Sequence, residues 1–198
     1  VYTKSELAAI AAICKKLKLL LFMDGARLGA ALTSSKNDVT FRDIYDLTDV
    51  FWIGGTKNGA LLGEAVVIKG RSLGADFPYH MKQRGALLAK GRVIGIQFST
   101  LLQDDLFFRL ARHSNTTAAE LSSSLLNAGF RLWVETESNQ VFPILPPALV
   151  QELQKDFVFF IWDYIHDGSL AIRLVTSWAT ELSQVKRFCK VIEDWTKK

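Results

Sequence analysis

From Asp49 to Ile68 the chain reads DVFWIGGTKNGALLGEAVVI, two apolar runs separated by a polar, glycine-rich centre that holds a single lysine. Val50 to Ile53 and Ala65 to Ile68 are expected to be buried strands, because β-branched and aromatic residues pack well in sheets and neither run reaches helix length. Lys57 then falls in the connection between two core strands. Gly54, Gly55 and Gly59 let the backbone turn tightly there, while Thr56 and Asn58 add hydrogen-bonding groups beside the amine. A lysine kept partly desolvated between core strands is held toward its neutral, nucleophilic form, which suits it to forming a Schiff base with an aldehyde cofactor. The plainer alternative is a surface loop whose lysine points to water, as most lysines do.

The 198 residues suffice for one large domain or two small ones, and an apolar content of 49% is that of an ordinary globular protein. A formal charge of +4 comes from 24 basic and 20 acidic residues spread along the chain. No dense basic block argues for nucleic acid, and no apolar stretch reaches the roughly 18 residues of a membrane span. Cys14 and Cys189 lie far apart without metal-site spacing and fit a reducing compartment or inert buried thiols better than a disulfide framework. With no targeting pattern at the N-terminus, a cytoplasmic location is expected. The chain starts VYTKSEL, without methionine and directly at a helix start, which suggests a piece of something longer.

Ser5 to Lys16 has the spacing of an amphipathic helix, with Ser5 as its cap, Leu7, Ile10, Ala11 and Cys14 on the apolar side and basic residues at its end. Leu19 to Met23 fits a buried strand that ends in the polar tip Asp24-Gly25-Ala26-Arg27. In open α/β sheets ligands sit outside the carboxyl ends of strands, so Asp24 and Arg27 are placed where ligand groups usually are. The alternative is an aspartate that caps the next helix and an arginine that pairs with it. Ala30 to Asp38 is weakly helical or loop, and Thr40 to Leu47 a short helix. Lys69 to Pro78 is expected to be loop, followed by helical patterns from Tyr79 to Leu110 that Gly91 and Gly95 interrupt. Lys82, Arg84, Lys90 and Arg92 read as a solvated face or subunit contact, with a cofactor phosphate as the sharper alternative.

A second unit is expected to open with a helix from Asn115 or Thr116 to about Asn127, stopped by Ala128-Gly129. Arg131 to Glu135, Val141 to Leu145, Phe157 to Trp162 and Leu170 to Ser177 read as strands. Pro146-Pro147 opens a helix to Lys155, and Glu181 to Glu193 closes the chain as another. Alternation along AIRLVTSW puts Arg173 on the face opposite Ile172 and Leu174. That face is either solvated or turned to a ligand carboxylate, for which the arginine fork is well shaped.

GGTKNGALLGEAVV around Lys57 resembles the cofactor-lysine segment of the low-specificity threonine aldolases, within the fold type I enzymes that use pyridoxal 5'-phosphate. DGARLGAAL from Asp24 resembles the segment ahead of that lysine, and AKGRVIGIQF, LFFRLARHSN and IRLVTSW extend the match over nearly the whole chain. Related β-eliminating lyases share the cofactor machinery. The resemblance implies an α/β fold: residues 1–110 as the later part of a cofactor-binding large domain, with a mostly parallel sheet and helices, and residues 111–198 as a small α+β domain. It implies that a missing N-terminal segment or complementary chain supplies a ring-stacking histidine and a phosphate-gripping loop. His80, His113 and His166 are not given that role.

By the same resemblance Lys57 forms the cofactor linkage and Asp24 pairs with the pyridine nitrogen. Arg173 clamps the substrate carboxylate, Arg27 is a second polar contact near that carboxylate or the cofactor, and Thr56 donates to the phosphate. The implied reaction is aldol cleavage of threonine or allo-threonine to glycine and an aldehyde. The alternatives are β-elimination from an aromatic or thiol-bearing amino acid and a non-catalytic scaffold. The resemblance further implies a homodimer or dimer of dimers; from the charge, hydropathy and cysteine spacing above, no metal, nucleic-acid or membrane partner is expected.

Overall fold

The structure is a computed structural model that describes residues 1–197, and the chain divides into two compact units, one from Val1 to Arg109 and one from Leu110 onward. The first unit begins with α1 (Lys4–Lys16), and its cap is Thr3 rather than Ser5. Thr3 Oγ1 accepts from the Glu6 N–H at 3.3 Å while the Glu6 carboxylate accepts from the Thr3 N–H at 2.8 Å. This reciprocal box satisfies two N–H groups that a helix start otherwise leaves open, and the spacing Thr-x-x-Glu could have revealed it.

The strand expected over Leu19 to Met23 is only β1 (Phe22–Met23); α2 (Leu28–Leu32) and α3 (Phe41–Leu47) follow. Next come β2 (Val50–Gly54) and β3 (Glu64–Ile68). The strands lie in the order β1-β2-β3, with β1 parallel to β2 and β2 antiparallel to β3. Phe51 and Ile53 of the central strand are buried, together with Leu28, Ala30 and Ile44 from α2 and α3.

The segment expected to be loop, Lys69 to Pro78, instead carries α4 (Arg71–Gly74) and the start of α5 (Phe77–Gln83), where Pro78 stands in the first turn. The helical pattern is interrupted before α6 (Arg92–Leu102), whose N-cap is Gly91, whereas Gly95 sits inside that helix facing open space and does not break it. A second break comes at Asp104 and Asp105, whose φ values of 48° and 60° are left-handed, a conformation aspartate tolerates better than most residues.

Then α7 (Leu106–Asn127) runs without interruption through Asn115 and Thr116, which were expected to start a helix. Polar side chains in that stretch are satisfied within the helix. Ser114 Oγ donates to the Ala111 carbonyl at 2.7 Å and Thr117 Oγ1 to the His113 carbonyl at 3.0 Å, the back-bonding that lets hydroxyls sit mid-helix.

The second unit continues with β4 (Arg131–Leu132), β5 (Gln140–Val141), β6 (Pro143–Leu145), α8 (Pro147–Leu153), β7 (Phe160–Tyr164), β8 (Leu170–Val175) and α9 (Leu182–Thr196). The expected strand Val141 to Leu145 is thus split at Phe142, next to a proline that cannot donate to a ladder. β8 is central, with β5, β6 and β7 all antiparallel to it. Ile172 and Leu174 of β8 pack with Leu121, Leu125, Leu149, Leu153, Phe188 and Ile192 in one apolar core.

Candidate active site

Two loops leave the same end of the parallel pair β1 and β2. The chain exits β1 into Asp24-Gly25-Ala26-Arg27 and exits β2 into Gly55-Thr56-Lys57. Their backbones nearly touch. The Gly54 N–H donates to the Gly25 carbonyl at 2.9 Å, a Cβ built on Gly25 would fall 1.8 Å from the Trp52 carbonyl oxygen, and one on Gly54 would fall 2.3 Å from that of Ala26. Only glycine fits at either position. That close approach brings the aspartate tip and the lysine turn to one end of the sheet.

Asp24 does not cap α2; the N-cap position there is Arg27, which makes no side-chain cap bond. Instead Asp24 Oδ1 accepts from the Ala26 N–H and from Trp52 Nε1, both at 2.9 Å. Among the described residues Oδ2 receives no hydrogen bond. The carboxylate is therefore oriented by one oxygen and presents the other. Trp52 was missed in the sequence as a functional partner, although a parallel register that pairs Met23 with Phe51 brings the next residues, Asp24 and Trp52, side by side.

Lys57 sits in a tight turn closed by Asn58 N–H and Ala60 N–H donating to the Gly55 carbonyl at 2.9 and 3.0 Å. Asn58 is buried, 7% exposed, and its Nδ2 donates to the Phe107 carbonyl at 2.9 Å. The turn is thus anchored through the residue after the lysine. Lys57 itself is exposed, so this chain's own residues do not supply the desolvation expected for it.

Glu64, at the start of β3, was also missed. Its carboxylate accepts from the Gly55 N–H at 2.6 Å and from Thr56 Oγ1 at 3.2 Å, so the exposed Thr56 hydroxyl donates to an acid here. A cavity of about 560 Å³ opens beside Asp24 and Arg27, but its other walls are mostly apolar residues of α1, α2, α3 and β1, and Lys57 does not line it.

In the second unit Arg173 stands where alternation put it, on the face of β8 away from Ile172 and Leu174, half-buried, with its guanidinium over the rings of Phe160 and Trp162. His113 Nε2 is bonded to the Thr180 carbonyl at 2.7 Å, while His80 and His166 are exposed on α5 and in the turn after β7. The two cysteines are free, and burial pushes the Cys189 thiol above its ordinary pKa. Among the described residues no cluster could hold a metal ion and no helix is long and apolar enough to cross a membrane.

Residues 1–146 match the beta-eliminating lyase family. Two curated relatives are low-specificity L-threonine aldolases: one from Pseudomonas sp. (strain NCIMB 10558), 38% identical over 94% of this chain and 53% of its own length, and one from Pseudomonas aeruginosa, 35% identical over 97% and 55%. Among solved structures, a threonine aldolase of Leishmania major superposes with a TM-score of 0.95 at 47% identity, over 98% of this chain and 57% of that one. An aminotransferase of Staphylococcus aureus, 12% identical with a TM-score of 0.71 over 100% of this chain and 55% of that one, shares the fold alone. The architecture is part of the fold type I class of pyridoxal-phosphate enzymes. Within that class the chain belongs to the beta-eliminating lyase family. It spans about half the length of the curated relatives it matches.

Proposed function

We propose that the protein containing this chain is a lyase that cleaves a β-hydroxy-α-amino acid, threonine or allo-threonine, to glycine and an aldehyde with pyridoxal 5'-phosphate as cofactor. The observation that carries this reading is the pair of groups at one end of the parallel strands: an amine on a glycine-hinged turn and a carboxylate with one oxygen held and one open. Those groups fit the aldehyde and the ring nitrogen of the cofactor. When bound, the cofactor supplies an electron sink for the pair released at the amino acid's α-carbon.

Each side chain then has a stated task. Lys57 Nζ would hold the cofactor and afterwards carry a proton. Asp24 Oδ2 would keep a proton on the ring nitrogen, since an anion there favours the cationic ring, while Trp52 and Ala26 fix Oδ1. Arg173 would take the substrate carboxylate and so decide which bond at the α-carbon is aligned to break, with Arg27 as a second contact near that carboxylate or the cofactor. Thr56 would reach a phosphate only by leaving Glu64. The proton of the β-hydroxyl goes to a base that no residue of this chain is assigned to be.

The proposal includes a complementary chain or an earlier segment, an assembly of two or four copies, residues 1–110 and 111–198 as parts of a large and a small domain, and a reducing, cytoplasmic setting that suits two free thiols. Borohydride reduction of the purified protein followed by peptide mapping tests it. A pyridoxyl group on Lys57 and glycine among the products support it; an unmodified Lys57 in protein supplied with fresh cofactor overturns it. Release of pyruvate and ammonia in place of glycine would move the reading to β-elimination, the activity that names the family.

A further inference from the structure

Arg173 has a guanidinium rich in hydrogen-bond donors. Among the described residues it donates no hydrogen bond and joins no ion pair, and its Nε is buried without a partner. Rings hold it instead. The guanidinium carbon lies 5.2 Å from the centroid of Phe160 and 5.5 Å from that of Trp162, inside the range of about 6 Å over which a cation is drawn to an aromatic face.

Phe160 is the cross-strand partner of Arg173, but Trp162 arrives by an irregularity. The ladder between β7 and β8 runs Phe160 with Arg173, Ile161 with Ile172, and then Asp163 with Ala171, so Trp162 is the extra residue of a β-bulge. Bulges of this kind re-aim a side chain. Phe142 packs edge-on against Trp162 at 5.2 Å and 66°, which steadies the indole. Phe160 and Trp162 remain 68% and 52% exposed, so burial of apolar surface does not account for them. A structural arginine on a sheet face would be expected to find a carbonyl or an acid for its donors.

We propose that Phe160, Trp162 and the bulge that delivers Trp162 are a positioning device for Arg173. They fix the plane of the guanidinium so that its Nη edge meets a planar carboxylate in one orientation. This rests on the reading that Arg173 takes the substrate carboxylate and adds which residues hold it ready. Phe160 and Trp162 act through Arg173 and touch no reacting atom. The consequence is a grip on the amino acid that is already oriented before the substrate arrives, and the entropy of ordering a long, flexible side chain is not lost at binding.

The test uses the full holoenzyme. Trp162→Leu is expected to raise KM for threonine and the dissociation constant for glycine about fivefold, within the range of cation–π interactions, while kcat changes by less than about twofold. Trp162→Phe, which keeps a ring, restores most of that grip. Peptide mapping after phenylglyoxal treatment supplies a readout independent of turnover: glycine should protect Arg173 in the wild type and protect it less in Trp162→Leu. If Trp162→Leu leaves KM, glycine binding and protection unchanged while Arg173→Lys weakens all three, the positioning role is overturned and the carboxylate reading stands. A loss of kcat in parallel with circular dichroism, at unchanged KM, also overturns it, because that marks a purely structural residue. Should Arg173→Lys itself leave glycine binding unchanged, the carboxylate reading falls and the positioning role falls with it.

Discussion

Asp43 and Asp24 are carboxylates held by hydrogen bonds, with different consequences. Asp43 meets Lys4 at 2.6 Å and caps α3 together with Thr40, and these contacts, that of Lys4 foremost, bring its pKa down to about 2. Because the folded value lies below the ordinary one of 3.8, the stabilisation is fully present above about pH 4 and is lost as pH falls through about 2. Asp43→Asn is therefore expected to flatten the acid limb of stability: its urea midpoint should fall less than that of the wild type between about pH 4 and pH 2. Asp24 is oriented by the Trp52 indole, and Trp52→Phe removes that donor while keeping a ring to pack on Phe22, whose centroid lies 4.8 Å away. Loss of one hydrogen bond to an exposed carboxylate, about 1 kcal/mol, should weaken cofactor retention about fivefold in a spectral titration, with little change in the far-ultraviolet spectrum.

Elements that depend on apolar spacing were legible, and those that depend on who bonds to whom were not. The lysine turn between two strands followed from β-branched runs around GGTKNG, and β2 and β3 stand where the pattern put them. The start of α7 did not follow, because Ser114, Asn115 and Thr116 look like a helix boundary until Ser114 and Thr117 hydroxyls are seen to bond back to carbonyls one turn earlier. The site divides in the same way. Residue types marked Lys57, Asp24 and Arg173, whereas Glu64, Trp52 and the ring pair over Arg173 become visible only through register and a bulge. Asn58 ties these levels together, since the element it anchors is the turn that presents Lys57. Asn58→Ala removes a buried 2.9 Å hydrogen bond to the carbonyl of Phe107, which stands within the α7 ladder, and should cost roughly 0.5–1.5 kcal/mol in urea unfolding. Asn58→Asp, which keeps the shape but offers an acceptor to an acceptor, should cost at least as much.

At the scale of the whole molecule the first unit leaves a strand edge open. Among the described residues β1 pairs only with β2. The Leu21 carbonyl accepts from the Val50 N–H at 3.3 Å, so alternation turns the backbone groups of Phe22 to the opposite edge, where no ladder continues. Leu19, Leu20 and Phe22 are exposed beside that edge, with Leu20 at 66% and Phe22 at 49%, and Ile13 and Leu17 at the end of α1 are exposed as well. A row of free N–H and C=O groups next to exposed hydrocarbon is a template for another strand, and folded chains usually cover or charge such an edge. Lys15, Lys16 and Lys18 at and just beyond the end of α1 put positive charge close by, but none of them stands on β1 itself. The isolated chain is therefore expected to associate as its concentration rises, visible as a growing average mass by light scattering. Leu20→Lys puts a charge at the open edge without touching the buried residues Phe51, Ile53 and Ile44, and it should shift that association to at least several-fold higher concentration while the urea midpoint stays within about 0.5 kcal/mol of the wild type. An unchanged mass profile for Leu20→Lys would place the sticky surface elsewhere, for which the exposed aromatic residues of β7 are the next candidates.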